Sequence, residues 1–576
     1  MKKTIAYVSI NSSYSHSTPV YGQLRALAEQ KLEDHFEWNF FECSINDNSD
    51  MLLEKLIDID PELIFSTAYL FNTEALQKTF KKISLLIPKA ICVMGGPEFL
   101  GDNQNFLNLN RNIASVFRGD ESSFPKFLKN YKNPDVWTEI EGLCFIDKNG
   151  NYIDNGTASF NGNLDDLPSP YEKDYFLKEK PFVHYESARG CVSKCSFCTS
   201  SISAGVKLHG VKRVESDLNI LHDAGIREIR ILDRTFNVPE KRAIELTSLF
   251  SSKFPDIKFH VEIDPSKLTD KVITALNSTP KGQFHIEAGV QTFNCFSLKN
   301  INRNIDTEKL TSNLKSLTES KNYALHMDII AGLPKQKYSD IIEDVRKLVE
   351  IGPEEIQLEV LKILQGTPIA NDLQNEIKWS PSPPYEVLFT PDLSFGELSS
   401  IKILSRIIDS YYNVEGLRNL FRFAITRDMN FLSAFLNQTR SLFVLKDKPS
   451  LRIKLNSLFE YAKSKNNPVL EGMVTFAACL NGCLSEELKN VKMLKGSEID
   501  DLKRCFATNL LWKNGEEIAE KPVCSAEFNF NAGDLFLNPL ADIRAGNFRY
   551  LFYYSKFGIS GKSVKIENVS KISQLT

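Results

Sequence analysis

The chain has 576 residues, enough for three or four domains of ordinary size. Hydrophobic residues make up 42% and charged residues 25%, a globular balance that excludes disordered, collagen-like and coiled-coil chains. Lys and Arg total 69 against 73 Asp and Glu, a net charge of −4, which argues against a protein that coats nucleic acid.

The first apolar run, Ile5–Ile10, is too short for the core of a signal peptide. No run of about 18 apolar residues follows, so we expect a cytoplasmic protein with neither membrane nor nucleic acid as partner. That run reads as a strand, followed by a polar loop from Asn11 to Ser17. A helix then starts, with Ser17 or Thr18 as N-cap and Pro19 in its first turn. Val20, Leu24, Leu27, Ala28 and Leu32 fall on one helical face. The alternation repeats with a strand at Leu63–Phe65, a helix over Thr73–Leu86, a strand at Ile91–Met94 and another at Ser115–Phe117. Buried strands with short glycine-rich turns predict a doubly wound parallel sheet, flavodoxin-like in order. Ligands of such sheets lie beyond the carboxyl ends of the strands. Three loops converge there: Asn11–Ser17, Ser66–Asn72 and Gly95–Glu98. No G-x-G-x-x-G follows the first strand, which disfavours a dinucleotide.

Eleven cysteines in a chain of this kind do not read as a disulfide framework. Cys43, Cys92, Cys144, Cys295, Cys479, Cys483, Cys505 and Cys524 are dispersed and read as small buried hydrophobes. Cys191, Cys195 and Cys198 are clustered as C-x3-C-x2-C. Three thiolates in eight residues can grip three irons of a 4Fe-4S cluster and leave the fourth open to a ligand. From Arg213 to Pro368 apolar strands alternate with helices. They end at Asp233, Glu262, Glu287, Gly332 and, in the last case, lead to Gly366. With a strand at Val183–Tyr185 they make six β/α units, the material of a partial barrel with chemistry at its C-terminal strand ends.

Cys191-x3-Cys195-x-Phe197-Cys198 resembles the signature of radical S-adenosylmethionine (SAM) enzymes, which carry an aromatic residue before the third cysteine. EAGVQTFN (287–294), DIIAGLP (328–334) and LKILQGTPI (361–369) resemble further strands of that family. The resemblance implies a 4Fe-4S cluster on the three cysteines and SAM on its open iron, cleaved to a 5′-deoxyadenosyl radical. It also implies an external electron donor such as flavodoxin or ferredoxin. By the same resemblance Glu287 and Gln291 sit near the methionine moiety, Glu262 near the ribose, and Gly366 and Thr367 near the adenine. The family's G-G-E triplet is missing, and Asp233 stands in its place.

A doubly wound domain ahead of such a barrel resembles the cobalamin-binding branch. That implies a corrin lined by Asn11, Ser12, Ser13, Tyr14 and His16, by Ser66, Thr67 and Tyr69, and by Gly95, Gly96, Pro97 and Glu98. The branch's D-x-H-x-x-G cobalt-binding motif is absent. His16 lacks an upstream Asp and reads as a loop histidine bonded to nearby serines, and Tyr69 is a candidate to pack under the corrin. The expected domains are 1–135 (cobalamin), 136–180 (linker), 181–380 (radical SAM barrel) and 381–576, a mostly helical α+β domain without a chemistry motif that resembles an uncharacterised domain of one branch. Arg418 and Arg422 read as a solvated face, Phe548–Tyr554 as a strand, and the last residues as a polar tail. The implied reaction is methylation of an unactivated carbon of a small molecule or peptide. A radical rearrangement or cyclisation uses the same parts, and a cluster-and-corrin sensor is the alternative outside catalysis.

Overall fold

The computed structural model describes residues 2–32, 35–202, 205–372, 376–445, 448–483, 491–493, 524–554 and 561–565. Cys505 and the C-terminal polar tail lie outside the described residues. The chain divides into two compact units, residues 1–337 with 360–395, and residues 338–359 with 396–576.

The first unit contains two sheets. The front sheet has seven strands: β1 (Lys3–Asn11), β2 (Phe36–Ser44), β3 (Leu63–Thr67), β4 (Ile91–Gly95), β5 (Ser115–Phe117), β6 (Leu143–Ile146) and β7 (Tyr152–Asp154), in the order β2-β1-β3-β4-β5-β6-β7. The first five positions are parallel and doubly wound. β6 and β7 add an antiparallel edge, so the sheet is mixed. β2 had no clean signal in the sequence: six of its nine residues are half-buried, and its aromatic and polar residues break the apolar run of a central strand. Apolar residues cover both faces of the sheet. Ile64, Leu76, Phe80 and Met94 lie in the core on one face, and Phe65, Phe124, Phe127 and Trp137 in the core on the other. The first helix, Val20–Lys31, is preceded by Pro19 in the capping position. Thr18 Oγ1 accepts a bond from the Val20 N–H at 3.3 Å, so the expected cap acts from one residue further out.

The second sheet begins with β8 (Val183–Tyr185), after which a two-stranded ribbon, β9 (Ala188–Arg189) and β10 (Lys207–Leu208), brackets the cysteine loop. β11 (Glu228–Ile231), β12 (Lys258–Ile263), β13 (Phe284–Gln291) and β14 (Ala324–Ala331) then line up in parallel beside β8. The chain re-enters this unit at Val360, the last residue of β15 (Glu355–Val360), and the Leu361 N–H donates to Ala331 O at 2.8 Å. Alternate residues are fully buried toward the helices, as in Phe259, Val261 and Ile263. Phe250 of the helix Glu240–Lys253 stacks on Phe259, with ring centroids 4.1 Å apart.

The residues between, His260 and Glu262 or His285, Glu287, Gly289 and Gln291, face the barrel interior and are half-buried. Two expectations need correction here. Glu262 and Glu287 do not end their strands, because β12 continues to Ile263 and β13 to Gln291. Their polarity belongs to an interior-facing row, which reads in sequence as the end of an apolar run.

The second unit is mostly helical. Its longer helices are Tyr338–Ile351, Phe395–Ile407, Glu415–Arg427, Phe431–Leu445, Leu451–Ser464 and Pro468–Leu480. A four-stranded antiparallel sheet completes it: β16 (Val491–Met493), β17 (Cys524–Phe530), β18 (Ala545–Tyr554) and β19 (Gly561–Lys565). Tyr411, Phe421, Phe431, Phe435 and Tyr461 pack edge and face into its core. Arg422 is not on a solvated face: it donates to Glu350 O at 2.6 Å, and Arg418 donates to Tyr412 O at 3.3 Å. Cys295 is exposed and Cys43 and Cys483 are half-buried, whereas Cys92, Cys144, Cys479 and Cys524 are buried as expected. Among the described residues, no helix is long and apolar enough to cross a membrane.

Candidate functional site

The loop after β9 carries Cys191, Cys195 and Cys198 as free thiols, Cys195 buried and the other two half-buried. Phe197 between them is half-buried. Cys191 Sγ accepts from the Ser193 N–H at 3.4 Å and lies 3.2 Å from Thr235 Oγ1. The loop is pinned on both sides: the Ser196 N–H donates to Ile301 O at 3.1 Å, and the Ile369 N–H donates to Ser196 O at 3.0 Å. Burial pushes the Cys195 thiol up to about 11, and the Arg303 guanidinium pulls against that shift. Three thiols on one short loop, with backbone and hydroxyl donors at Cys191 and a buried cation beside Cys195, suit a group that binds thiolates.

Two residues that the sequence reading did not single out dominate the polar contacts here. Asp264, just past β12, accepts from Ser193 Oγ at 3.1 Å, from Lys267 Nζ at 2.5 Å and from Arg303 at 3.0 Å. These cations and the Ser266 bonds hold its carboxyl down at about 2, against the opposing effect of burial. Arg303 is 7% exposed and also donates to Gly289 O at 3.0 Å. The one signal in the sequence was an Asp directly after a strand of the barrel; the burial of Arg303 and its pairing with Asp264 are tertiary facts.

Asp233 lies just past β11 and is 3% exposed. Its carboxylate accepts from the Ser187 N–H at 2.8 Å, the Ala188 N–H at 2.7 Å and the Ser187 hydroxyl. Burial raises it to about 6. It is therefore engaged with the strand that delivers the cysteine loop. Inside the barrel, Glu287 accepts from His260 Nε2 at 3.0 Å, and His326 Nε2 lies 3.0 Å from Asp328 Oδ1. The His260 bond draws Glu287 down, while burial and the neighbouring Glu287 push Asp328 up. Glu262 pairs with Arg234 at 3.5 Å. Gln291 adopts a left-handed φ of 71° at the end of β13. Gly366 has φ +77°, and a Cβ there would lie 2.5 Å from Leu100 O, so this turn is fitted against the segment following the front sheet's third loop. Thr367 is fully buried and bonded to Leu364 O at 2.6 Å.

The front loops are tied to one another. Asn11 donates to His16 O at 3.0 Å and to Glu42 at 3.1 Å, and accepts from Ser9 Oγ at 2.8 Å. His16 Nδ1 lies 2.8 Å from Ser13 Oγ, which itself lies 2.9 Å from Ser15 Oγ. Ser12 is half-buried in the same loop, and Tyr14 is exposed. Asn72 joins the first loop to the second, donating to Ile10 O at 2.9 Å and Thr67 O at 3.1 Å and accepting from the Tyr69 N–H at 2.7 Å. Ser66 and Thr67 are buried at the end of β3, and Tyr69 stacks on Phe71 at 5.5 Å. Gly96 has φ +111° beside Ala68, and Pro97 opens the short 3-10 turn holding Glu98.

Two of these loops, the first and the third, also reach the barrel half of the unit. Tyr385 Oη donates to Glu98 at 2.8 Å, and Arg189 pairs with Glu121 at 3.1 Å. Lys180, its side chain 1% exposed, pairs with Glu42 at 2.6 Å and donates to Tyr14 O at 2.7 Å. His184 Nδ1 lies 3.1 Å from Ser17 O.

Residues 185–348 match the radical SAM superfamily, and residues 374–476 match a protein family of unknown function, DUF4080. The chain is 25% identical over 340 residues to the uncharacterized methyltransferase PH0819 of Pyrococcus horikoshii, covering 56% of this chain and 72% of that one. The radical S-adenosylmethionine methyltransferase TsrM from Kitasatospora setae, solved with cobalamin and a 4Fe-4S cluster, has a TM-score of 0.54 at 15% identity, over 66% of this chain and 78% of that chain. The cobalamin-dependent S-adenosylmethionine radical enzyme OxsB, solved with aqua-cobalamin and S-adenosylmethionine, has a TM-score of 0.56 at 13% identity, over 88% of this chain and 76% of that one. At these identities the likeness to the solved structures is one of fold.

Proposed function

We propose that this chain, whose residues 185–348 are a radical SAM domain, is a cobalamin-dependent enzyme that methylates an unactivated carbon of a small molecule or peptide. The observation that carries the reading is the joining of two ligand-binding ends. Loops at the C-terminal edge of a doubly wound sheet are hydrogen-bonded to the barrel half, through Tyr385 to Glu98 and His184 to Ser17. Sheets of the first kind and barrels of the second both present ligands at the C-terminal ends of their strands. The methyltransferase name of the relative supports the choice of reaction.

In this reading Cys191, Cys195 and Cys198 hold a 4Fe-4S cluster, and the donors around them fit it. When bound, the cluster, SAM and cobalamin supply the radical and methyl chemistry, and the protein's own part is to position and exclude. Arg303, fixed by Asp264 and the Gly289 carbonyl, places a buried positive charge beside Cys195. Asp233 orients the strand ahead of the cysteine loop. Gln291 and Glu287 line the methionine side, Glu262 the ribose side, and Gly366 and Thr367 the adenine side. The front loops, from Asn11 to His16, Ser66 to Tyr69 and Gly95 to Glu98, receive the corrin, with Tyr69 and Phe71 as a stacked apolar floor. His16 is engaged with Ser13 and is not assigned to the cobalt. The proposed domains are 1–135, 136–180, 181–380 and 381–576, with residues 381–395, Tyr385 among them, packed in the compact unit of the barrel, and with an external flavodoxin or ferredoxin as electron donor in the cytoplasm.

The test is anaerobic turnover of the reconstituted chain with methyl-labelled SAM and hydroxocobalamin. Methylation requires S-adenosylhomocysteine and 5′-deoxyadenosine in about equal amounts when coupled to product. 5′-Deoxyadenosine without S-adenosylhomocysteine would overturn methylation in favour of rearrangement or cyclisation, and the absence of both would favour a sensor.

A further inference from the structure

One level of the barrel interior is lined by basic side chains rather than by the acids of the level above it. In the parallel register Arg230 of β11 lies opposite His184 of β8 on one side and His260 of β12 on the other, and His260 lies opposite His285 of β13. The front domain adds a fifth group. His16 stands over this level with its ring 6.1 Å from that of His184, and both pack against Phe182, at 5.3 and 5.4 Å. The Arg230 guanidinium lies 3.7 Å from the centroid of the same Phe182 ring. Five of the chain's groups that carry or can take positive charge thus line one wall, in a protein with only 8 histidines.

The bonds already made leave donors over. His16 and His184 each use Nδ1, toward Ser13 Oγ and Ser17 O, which leaves both Nε2 atoms for another partner. The buried Nε of Arg230 has no hydrogen-bond partner among the described residues. It forms only a loose, half-exposed ion pair with Glu228 at 3.8 Å, beyond hydrogen-bond reach. The other facing acids are engaged: Glu287 accepts from His260, and Glu262 pairs with Arg234. A guanidinium flattened on an aromatic ring keeps its edge donors free, the geometry that suits a two-pronged anion such as a carboxylate or phosphate. Burial and the mutual repulsion of these bases hold His184 and His285 down at about 4, an effect that a bound anion would reverse.

We propose that Arg230, His184 and His16 form an anion-binding subsite that holds a phosphate or carboxylate group of a molecule bound between the front sheet and the barrel. This rests on the reading of that space as the reaction chamber. The group comes either from an anionic substrate or from the phosphodiester of cobalamin's nucleotide tail.

Inorganic phosphate is the probe. It is titrated into the full chain, free of cluster and corrin, with the binding constant read by calorimetry and the His16 and His184 ring signals followed by NMR. Saturable binding that moves both signals, weakens tenfold or more in Arg230→Gln and recovers in part in Arg230→Lys is the expected result. Absence of saturable binding, or binding unchanged in Arg230→Gln with an unchanged melting profile, would overturn the subsite. The source is then read by retention of hydroxocobalamin against cobinamide, which lacks the phosphodiester. A loss for cobalamin alone in Arg230→Gln assigns the subsite to the nucleotide tail. Equal retention of both, with phosphate binding still lost, assigns it to the substrate. Phosphate binding needs no turnover, so its failure is separate from failure of the methylation assay.

Discussion

A methyl group on Gly96 would sit 2.5 Å from Ala68 O at a φ of +111°, while one on Gly95 would meet only Phe117 Cβ at 3.7 Å. The two neighbours therefore separate fold from ligand. Gly96→Ala should cost about 2 kcal/mol or more of stability, from backbone strain and collision. Gly95→Ala should change the urea midpoint little, at most about 1 kcal/mol in either direction. A loss of hydroxocobalamin retention in Gly95→Ala, at full stability, would report close approach of the corrin to the backbone. Equal midpoints for the two variants would refute this account of Gly96.

Among the elements, the loop after β1 depends on a contact from far along the chain. Lys180 is buried, and it both neutralises Glu42 and bonds the Tyr14 carbonyl. Glu42 in turn accepts from Asn11, so one ammonium orders the whole Asn11–His16 segment. Removing one partner of a buried pair leaves the other uncompensated. Lys180→Met should destabilise by about 2–4 kcal/mol, and the double variant with Glu42→Gln should recover part of that loss. A double-mutant cycle in urea measures the coupling. Strict additivity of the two substitutions would show that the pair does not act as a unit.

For the molecule as a whole, the buried titrating groups set the acid limit of stability. His184 and His285 take a proton at about 4 in the fold against 6.5 in the unfolded chain. Below 6.5 the unfolded state therefore binds protons that the fold refuses, and stability falls as the pH drops toward 4, by up to about 3 kcal/mol for each histidine. Asp264, at about 2 in the fold, extends the loss further into acid. Asp233 works the other way, since its folded value of about 6 lies above the ordinary 3.8 and adds stability as the pH falls between the two, and the raised Asp328 acts in the same sense. The net expectation is a declining urea midpoint between pH 6.5 and 4, flattened in His285→Gln. A pH dependence left unchanged by His285→Gln would contradict the burial of that ring.

What the amino-acid sequence determined by itself was local. Apolar runs of the right length marked β3, β4, β5 and β8, the helix Thr73–Leu86 emerged with its observed limits, and the spacing of Cys191, Cys195 and Cys198 placed three thiols on one short loop. Strands whose signal was mixed were harder. β2 was missed for its aromatic and polar residues, and β12 and β13 were cut short at Glu262 and Glu287, because a polar side chain facing a barrel interior looks in sequence like the end of a strand. Only the tertiary structure decided which charges meet. Asp264 and Arg303 are 39 residues apart yet bonded at 3.0 Å, and Tyr385 reaches Glu98 across 287 residues. His16 stands over His184 and Arg230 although nothing in its own loop points there. Periodicity encodes which face of an element is buried, but the partner on the other side of that face is fixed by the packing of distant elements.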